Sequence, residues 1–211
     1  MIFNKGENDI VVSVERMRRS DAYTIENFTD GITLMYRAAK GIYDSYDWKS
    51  EPIHIFAGSG NNAGDGYALA SILARNGICS TIIRLSDKFS DDGLYYYNMA
   101  KELGVEDIKY DDSIHIPDCG TVVDCIFGTG FKGVPEGVAA SAINKINTCG
   151  AYVISADINS GLNGDTGEYV IAVRSDLTVS IGFLKKGMFK GDASELIGKL
   201  VNVDIGIVLV R

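Results

Sequence analysis

A glycine-rich stretch at residues 54–66, HIFAGSGNNAGDG, contains the first residues suited to binding chemistry. Gly58, Gly60 and Ala63 match the dinucleotide-binding pattern G-x-G-x-x-A, in which glycines let the backbone approach a phosphate closely. A helix that begins here would direct unpaired backbone N–H groups toward an anion. Turn formation and helix capping would explain some of these residue types. Four glycines and two asparagines within residues 58–66 exceed that need, so we interpret the stretch as part of a site for a phosphate-bearing, nucleotide-like molecule.

Two further segments carry aspartates within or at the end of apolar runs. In VVDCIFGTGFKG, residues 122–133, Asp124 lies inside an apolar run, where a carboxylate needs a partner or a cation. The glycines that follow and Lys132 offer backbone donors and a positive charge for phosphate. In VISADINSGLNGDTG, residues 153–167, Asp157 closes an apolar run. An aspartate at a strand end is suited to acid/base catalysis because partial burial changes its pKa, although capping of the next turn would also explain Asp157.

Three side chains in these segments share one kind of ligand chemistry. Asn62, Asp124 and Ser160 supply an amide oxygen, a carboxylate and a hydroxyl. All are hard oxygen ligands, which suit an alkali or an alkaline-earth cation, and their chemistry alone does not choose between the two. We expect them to meet because ligands of open parallel sheets bind at the carboxyl ends of the strands, where the strand order reverses.

The elements expected to position these residues alternate between short apolar strands and amphipathic helices. Strands are predicted at Ile53–Ala57, Ser80–Leu85, Thr121–Phe127, Tyr152–Ala156, Asp176–Ile181 and Leu200–Val203. Helices are predicted at Gly66–Asn76, Asp91–Leu103 and Val138–Thr148, and two more between Val14 and about Tyr46, with a polar break at Thr24–Asp30. The buried faces of these two are predicted to contain Met17, Ala22, Ile25, Ile32, Leu34, Met35, Ala38, Ala39 and Ile42.

This alternation predicts an α/β, Rossmann-like three-layer sandwich with a mostly parallel central sheet and an N-terminal helical extension. We expect one domain over residues 1–211, with the extension at about 1–50 and a doubly wound core at about 51–211. The length of 211 residues, with 46% hydrophobic and 23% charged residues, is typical of one globular domain.

Composition and missing motifs narrow the classes of function. The formal net charge of −8 disfavours a nucleic-acid partner. The four cysteines lack metal-ligand spacing, so we expect reduced thiols and a cytoplasmic location. The N-terminal sequence and the short apolar stretches predict neither secretion nor membrane insertion. The chain has neither a G-x-S-x-G elbow nor a phosphate-binding G-x-x-x-x-G-K-[ST] loop, which argues against serine hydrolases and P-loop nucleotidases.

Three segments in order, GSGNNAGDG, DCIFGTGFKG and ADINSGLNGDTG, resemble the motifs of the YjeF N-terminal domain family, the NAD(P)H-hydrate epimerases. The similarity covers nearly the whole chain, since ERMRRSD and LMYRAA resemble the family's helical extension and GKLVNVDIGI resembles its closing strand. The chain departs from the family pattern at Asn159, where proline is usual, and at Ala63, where a second glycine is usual. Neither departure removes a proposed side-chain ligand.

The resemblance implies that the chain interconverts the R and S forms of hydrated NADH and NADPH, in nicotinamide nucleotide repair. It implies that Asp157 lies beside the reacting ring, where we expect general acid/base catalysis, and that Asn62, Asp124 and Ser160 bind potassium. The residues implied to contact the hydrate are Asn61, Asn62, Ala63, Gly64, Asp65, Gly128, Thr129, Gly130, Phe131, Lys132, Gly133, Val134 and Asp157. A homodimer is a further expectation from the family. Because the chain ends at Arg211, we expect a separate NAD(P)H-hydrate dehydratase to complete the repair.

Two other functions are compatible with such a fold. Relatives of this fold serve as non-enzymatic modules in messenger-RNA decapping scaffolds or bind apolipoprotein. The polar residues at the strand ends and the acidic charge favour chemistry on a small molecule instead. An NAD(P)-dependent oxidoreductase would also match the glycine pattern. It should carry a ribose-binding acid at the end of the second strand, and Ser86 and Asp87 lie too far along the chain for that role.

Overall fold

The structure is a computed structural model that describes residues 10–211; the first nine residues of the predicted extension lie outside the described part. The strands are β1 (Val11–Val12), β2 (Ile53–Ala57), β3 (Thr81–Arg84), β4 (Glu106–Lys109), β5 (Thr121–Cys125), β6 (Tyr152–Ala156), β7 (Leu177–Ile181), β8 (Leu184–Lys185) and β9 (Lys199–Val203). The helices are α1 (Val14–Asn27), α2 (Gly31–Asp44), α3 (Asn61–Arg75), α4 (Asp91–Glu102), α5 (Gly137–Thr148) and α6 (Ser194–Ile197), with a 3₁₀ turn at Lys186–Phe189. None of the helices in residues 10–211 combines the length and the apolar content that crossing a bilayer requires.

Seven strands form one parallel sheet in the order β4-β3-β2-β5-β6-β7-β9. The chain starts at β2, adds β3 and β4 on one side, and then returns to place β5 on the other side of β2. The strand order therefore reverses between β2 and β5, and a crevice is expected at their carboxyl ends. Strands β1 and β8 form a separate parallel pair.

Helices cover both faces of the sheet because alternate strand residues point to opposite sides. On one face, Ile55, Val123 and Ile154 belong to the same core as residues of α2, α3 and α4. On the other face, Phe56, Val122 and Val153 pack with residues of α5. The predicted three-layer α/β fold is confirmed.

The boundaries of two elements near the predicted site differ from the predictions. Strand β5 ends at Cys125, two residues before the predicted end, because the N–H groups of Ile126 and Phe127 bind side-chain oxygens of Asp124 and Ser160 instead of a neighbouring strand. Helix α3 begins at Asn61, five residues before the predicted start. The segment expected to be a turn is thus the first turn of a helix.

Strand β4 was not predicted, because its sequence, EDIK, lies at the sheet edge and is half exposed, so it lacks apolar alternation.

The buried face of α1 is more polar than predicted. It consists of Met17, Ser20 and Thr24, and the helix extends into the predicted break and ends within it at Asn27. The prediction that Ala22 and Ile25 are buried is wrong, since both are exposed. The hydroxyls of Ser20 and Thr24 accept hydrogen bonds of 3.1 and 2.9 Å from backbone N–H groups of the C-terminal segment, which packs along this helix.

Candidate active site

A cavity of about 560 Å³ lies at the carboxyl ends of β2, β5 and β6. One wall is polar and comes from the loops that follow these strands. The other wall is apolar and comes mainly from α1, α2 and the C-terminal segment, with Met17, Leu34, Met35, Ala38, Ile205 and Ile207. The N-terminal helices therefore form the wall of the cavity that faces the strand ends.

Eight of the residues expected to contact a substrate line this cavity, namely Asn61, Asn62, Asp65, Gly128, Thr129, Gly130, Phe131 and Asp157. Five others are not on its wall. Ala63 and Gly64 are buried within α3, whereas Lys132, Gly133 and Val134 lie beyond the cavity-lining part of their loop. Their contact with a substrate stays a prediction.

Close packing explains two glycines of the first motif. A Cβ on Gly58 would lie 2.1 Å from the carbonyl oxygen of Ile126, so only glycine lets the loops after β2 and β5 approach. A Cβ on Gly64 would lie 3.1 Å from the Cα of Gly93, so glycine at this position lets the backbones of α3 and α4 approach closely. Gly60 differs, because no atom of the described residues lies within 4 Å of the position that a Cβ would take there, and it caps α3 without a side-chain hydrogen bond. The first N–H groups of α3 are thus left for water or an anion.

Asp124 and Ser160 form a buried hydrogen-bonded unit below the cavity. The Asp124 Oδ1 accepts from the Ser160 hydroxyl at 2.5 Å, and its Oδ2 accepts from the Ser155 hydroxyl and the Ser160 N–H, each at 2.9 Å. Burial raises the pKa of Asp124, and the hydrogen bonds from Ser160 oppose that shift. The expectation that this carboxylate has a partner is confirmed.

Asn62 is buried, yet neither its Oδ1 nor its Nδ2 has a hydrogen-bond partner among residues 10–211. A Cβ placed on Gly128 would lie 3.2 Å from the Asn62 Cβ and 3.1 Å from Oδ2 of Asp157, so these two side chains converge on the loop after β5. A buried amide without partners is costly, so a group that binds its oxygen would stabilise the folded protein. An oxygen-seeking cation fits, since Oδ1 of Asn62, the Asp124–Ser160 unit and the Phe127 carbonyl, 3.2 Å from the Ser160 hydroxyl, are all hard oxygens.

Asp157 is held on both carboxylate oxygens. Its φ of 66° is the one positive value at a non-glycine residue in residues 10–211, a conformation that aspartate tolerates better than most residues. The Thr129 N–H donates to its Oδ2 at 3.1 Å, and the ammonium group of Lys185 donates to its Oδ1. The side chain retains 15% exposure toward the cavity region, so it is fixed but accessible.

Lys185 was not identified from the sequence. It is fully buried, whereas the adjacent Lys186 is exposed, and no spacing in the run LKKG distinguishes the two. The only available sequence signal was a lysine directly after an apolar run, because a lysine buried with such a run needs a partner for its charge.

Further acidic side chains line the cavity. Burial, followed by the charges of Asp157 and Asp21, raises the pKa of Asp65 well above its usual value. Burial, followed by Asp157 and Asp92, also raises the pKa of Asp21. Asp21 and Asp92 were not predicted as site residues, because they belong to helices whose approach to the strand ends is decided by packing. Clustered carboxyls with raised pKa values are typical of acid/base sites.

The model of the family described as YjeF-related protein N-terminus matches residues 31–187. The chain belongs to this family. It is 33% identical over 200 residues to a protein of Limosilactobacillus reuteri named NAD(P)H-hydrate epimerase, covering 92% of this chain and 94% of that protein. It is 34% identical over 210 residues to a protein of the same name from Lentilactobacillus buchneri, covering 93% and 94%.

Two other relatives extend the comparison. A protein of Archaeoglobus fulgidus named bifunctional NAD(P)H-hydrate repair enzyme Nnr is 34% identical over 179 residues, which is 82% of this chain and 37% of that protein. The crystal structure of the yeast protein ynu0 superposes with a TM-score of 0.71 at 17% identity, covering 92% of this chain and 87% of that one, and it supports the fold alone. The family resemblance inferred from the three segments is confirmed.

Proposed function

We propose that this chain is an isomerase that interconverts the R and S forms of hydrated NADH and NADPH. The observation that carries the proposal is the convergence of the three family segments on one cavity, where Asn62, Gly128 and Asp157 lie together. The relatives named NAD(P)H-hydrate epimerase, which align over more than 90% of the chain, support the same activity.

The cavity suggests how the substrate is oriented. The uncapped N-terminus of α3, at Gly60 and Asn61, suits a phosphate of the dinucleotide because its backbone N–H groups and dipole favour an anion. The hydrated ring then lies deeper, between Asp157 and the apolar wall.

The reaction requires a carbon–oxygen bond to break and to form again on the opposite face of the ring. The hydroxyl leaves as water with the bonding electron pair after gaining a proton, while the lone pair of the ring nitrogen forms a C=N bond. A water molecule then adds to the other face and loses a proton. Asp157, held by Thr129 and Lys185, accepts that proton, and in the opposite direction it returns the proton to the leaving hydroxyl.

Asp65 is the carboxyl that we propose for the other proton transfer. It lines the same cavity, and its raised pKa keeps it protonated at higher pH than an exposed aspartate. Two carboxyls whose surroundings differ in this way divide the work of acid and base. Asp157 is hydrogen-bonded to Lys185, whereas burial and the charges of Asp157 and Asp21 outweigh the effect of Lys185 on the pKa of Asp65.

We propose that potassium binds at Asn62, Asp124 and Ser160. The support is the unpartnered amide of Asn62, which adjoins Gly128 of the loop after β5, together with the buried Asp124–Ser160 pair. When bound, the ion supplies a positive charge that satisfies the amide oxygen and offsets the carboxyls below the substrate. Asp124 and Ser160 themselves join the end of β5 to the loop after β6.

The decisive experiment supplies purified R-hydrate to the purified chain and follows S-hydrate by chromatography, with and without potassium. We expect conversion by the wild type and a rate on the order of 100-fold lower for Asp157→Asn, because asparagine tolerates the positive φ but cannot accept the proton. Asp192→Asn changes an exposed aspartate and serves as the matched control. A folded Asp157→Asn protein with full activity would refute the acid/base role.

The cellular context is also proposed. A separate dehydratase is expected to act on the S-hydrate, and the bifunctional name of the Archaeoglobus fulgidus relative supports that link. All four cysteines are free thiols, which supports the cytoplasm. Light scattering would test the expected homodimer. Hydride transfer from unmodified NADPH to any acceptor would favour the oxidoreductase alternative. Against that alternative, β3 ends at Arg84, and the Asp87 carboxylate is already paired with Arg84 and Lys109 instead of being left for a ribose.

A further inference from the structure

Lys185 is buried completely and uses its ammonium group within the protein. It donates to Oδ1 of Asp157, to the Ser180 hydroxyl at 3.1 Å and to the Ile181 carbonyl at 3.0 Å. An ammonium group has three hydrogens, so these three acceptors use all of them. Lys185 therefore has no hydrogen left with which to bind a substrate.

The backbone around Lys185 is fixed from two directions. It lies in β8, where it is paired in register with Val12 of β1, and the Leu184 N–H binds the Ile10 carbonyl. Gly182, with a φ of 72°, makes the turn that brings β8 back from β7. The N-terminal strand thus holds the lysine in place beneath the end of β6.

Lys185 fixes the orientation of the Asp157 carboxylate. Lys185 holds one oxygen and the Thr129 N–H holds the other, so rotation of the carboxylate is blocked. Without Lys185, Oδ1 would lose its donor and the carboxylate could rotate about its remaining hydrogen bond to Thr129. Neither Ser180 nor Ile181 would replace the positive charge.

We propose that Lys185 is a positioning residue for the epimerisation, holding Asp157 in one orientation beside the reacting ring. This inference rests on the proposed function. Lys185 takes no proton and touches no substrate. Its contribution reaches the reaction only through the Asp157 carboxylate.

Lys185→Met is the direct test, and Lys186→Met is its matched control at the adjacent exposed lysine. We expect Lys185→Met to lower kcat on the order of 100-fold, a size found when a group that orients a reactive ligand is removed, while KM changes by less than about threefold. Lys186→Met should keep the wild-type kcat. A wild-type kcat in Lys185→Met overturns the inference.

A double-variant cycle separates positioning from a merely structural role. If Lys185 acts through Asp157, then Lys185→Met should have no further effect on the rate of Asp157→Asn. A further tenfold loss in the double variant would overturn the inference. Should Lys185→Met alone fail to fold, the comparison of Asp157→Asn with the double variant still decides, because neither contains an unpaired carboxylate at residue 157. An inactive wild type refutes the proposed function itself, and this role of Lys185 with it.

Discussion

Replacing Asn62 by alanine is expected to make the protein more stable without potassium and less stable with it. The reason is that both polar atoms of the Asn62 side chain are buried without hydrogen-bond partners among the described residues. A buried unpaired polar group costs about 1–3 kcal/mol, and alanine has the higher helix propensity by roughly 0.5 kcal/mol. Lost packing contacts offset part of this gain, although Asn62 borders an open cavity and no closed void is left.

The net gain without potassium is about 1 kcal/mol, which is roughly 3 °C in the unfolding midpoint for a chain of this length. Potassium reverses the order. At a concentration about 100-fold above the dissociation constant, a ligand that binds only the folded state adds about 2.7 kcal/mol, or roughly 8 °C. Asn62→Ala lacks one ligand of the proposed site and should gain much less.

Thermal unfolding followed by circular dichroism measures both effects. The buffer contains choline chloride, which is replaced stepwise by potassium chloride at constant ionic strength. Asn61→Ala, at the neighbouring exposed asparagine, reports on helix propensity alone and should not reverse the order. A loss of 1 kcal/mol or more by Asn62→Ala without potassium, or a wild-type response to potassium, would refute the reasoning.

Two other predictions concern the buried acids. Ser160→Ala loses the donor to Asp124 and the acceptor for the Phe127 N–H, so urea unfolding should show a free energy of unfolding about 3 kcal/mol lower. Ser155→Ala loses one hydrogen bond to the same carboxylate and should lower the free energy of unfolding by about half as much. Equal effects would contradict this account. Asp65 has a raised pKa in the folded state, so above about pH 4 the folded protein retains a proton that the unfolded chain releases, and stability falls as pH rises. In Asp65→Asn, the free energy of unfolding should no longer fall as pH rises. An unchanged pH dependence in this variant would contradict the assignment of the proton to Asp65.

Much of the fold follows from patterns that near neighbours along the chain determine. Strands β2 and β6 begin and end at the predicted residues, because a short apolar run bounded by turn residues has few other stable conformations. The three glycine- and aspartate-containing segments were also sufficient to identify the family. The chemistry of a possible cation site was evident from the residue types of Asn62, Asp124 and Ser160.

Tertiary structure decided which side chains meet. Asp124 and Ser160 lie 36 residues apart, and Asp157 and Lys185 lie 28 apart, so each contact depends on strand order and not on local spacing. Nothing in the local sequence distinguishes Lys185 from Lys186. Lys185 is buried in the strand β8, which pairs with β1. Burial sets the energy of a charge, and burial is a property of the packed chain, which is why the partner of Asp157 emerged only from the folded protein.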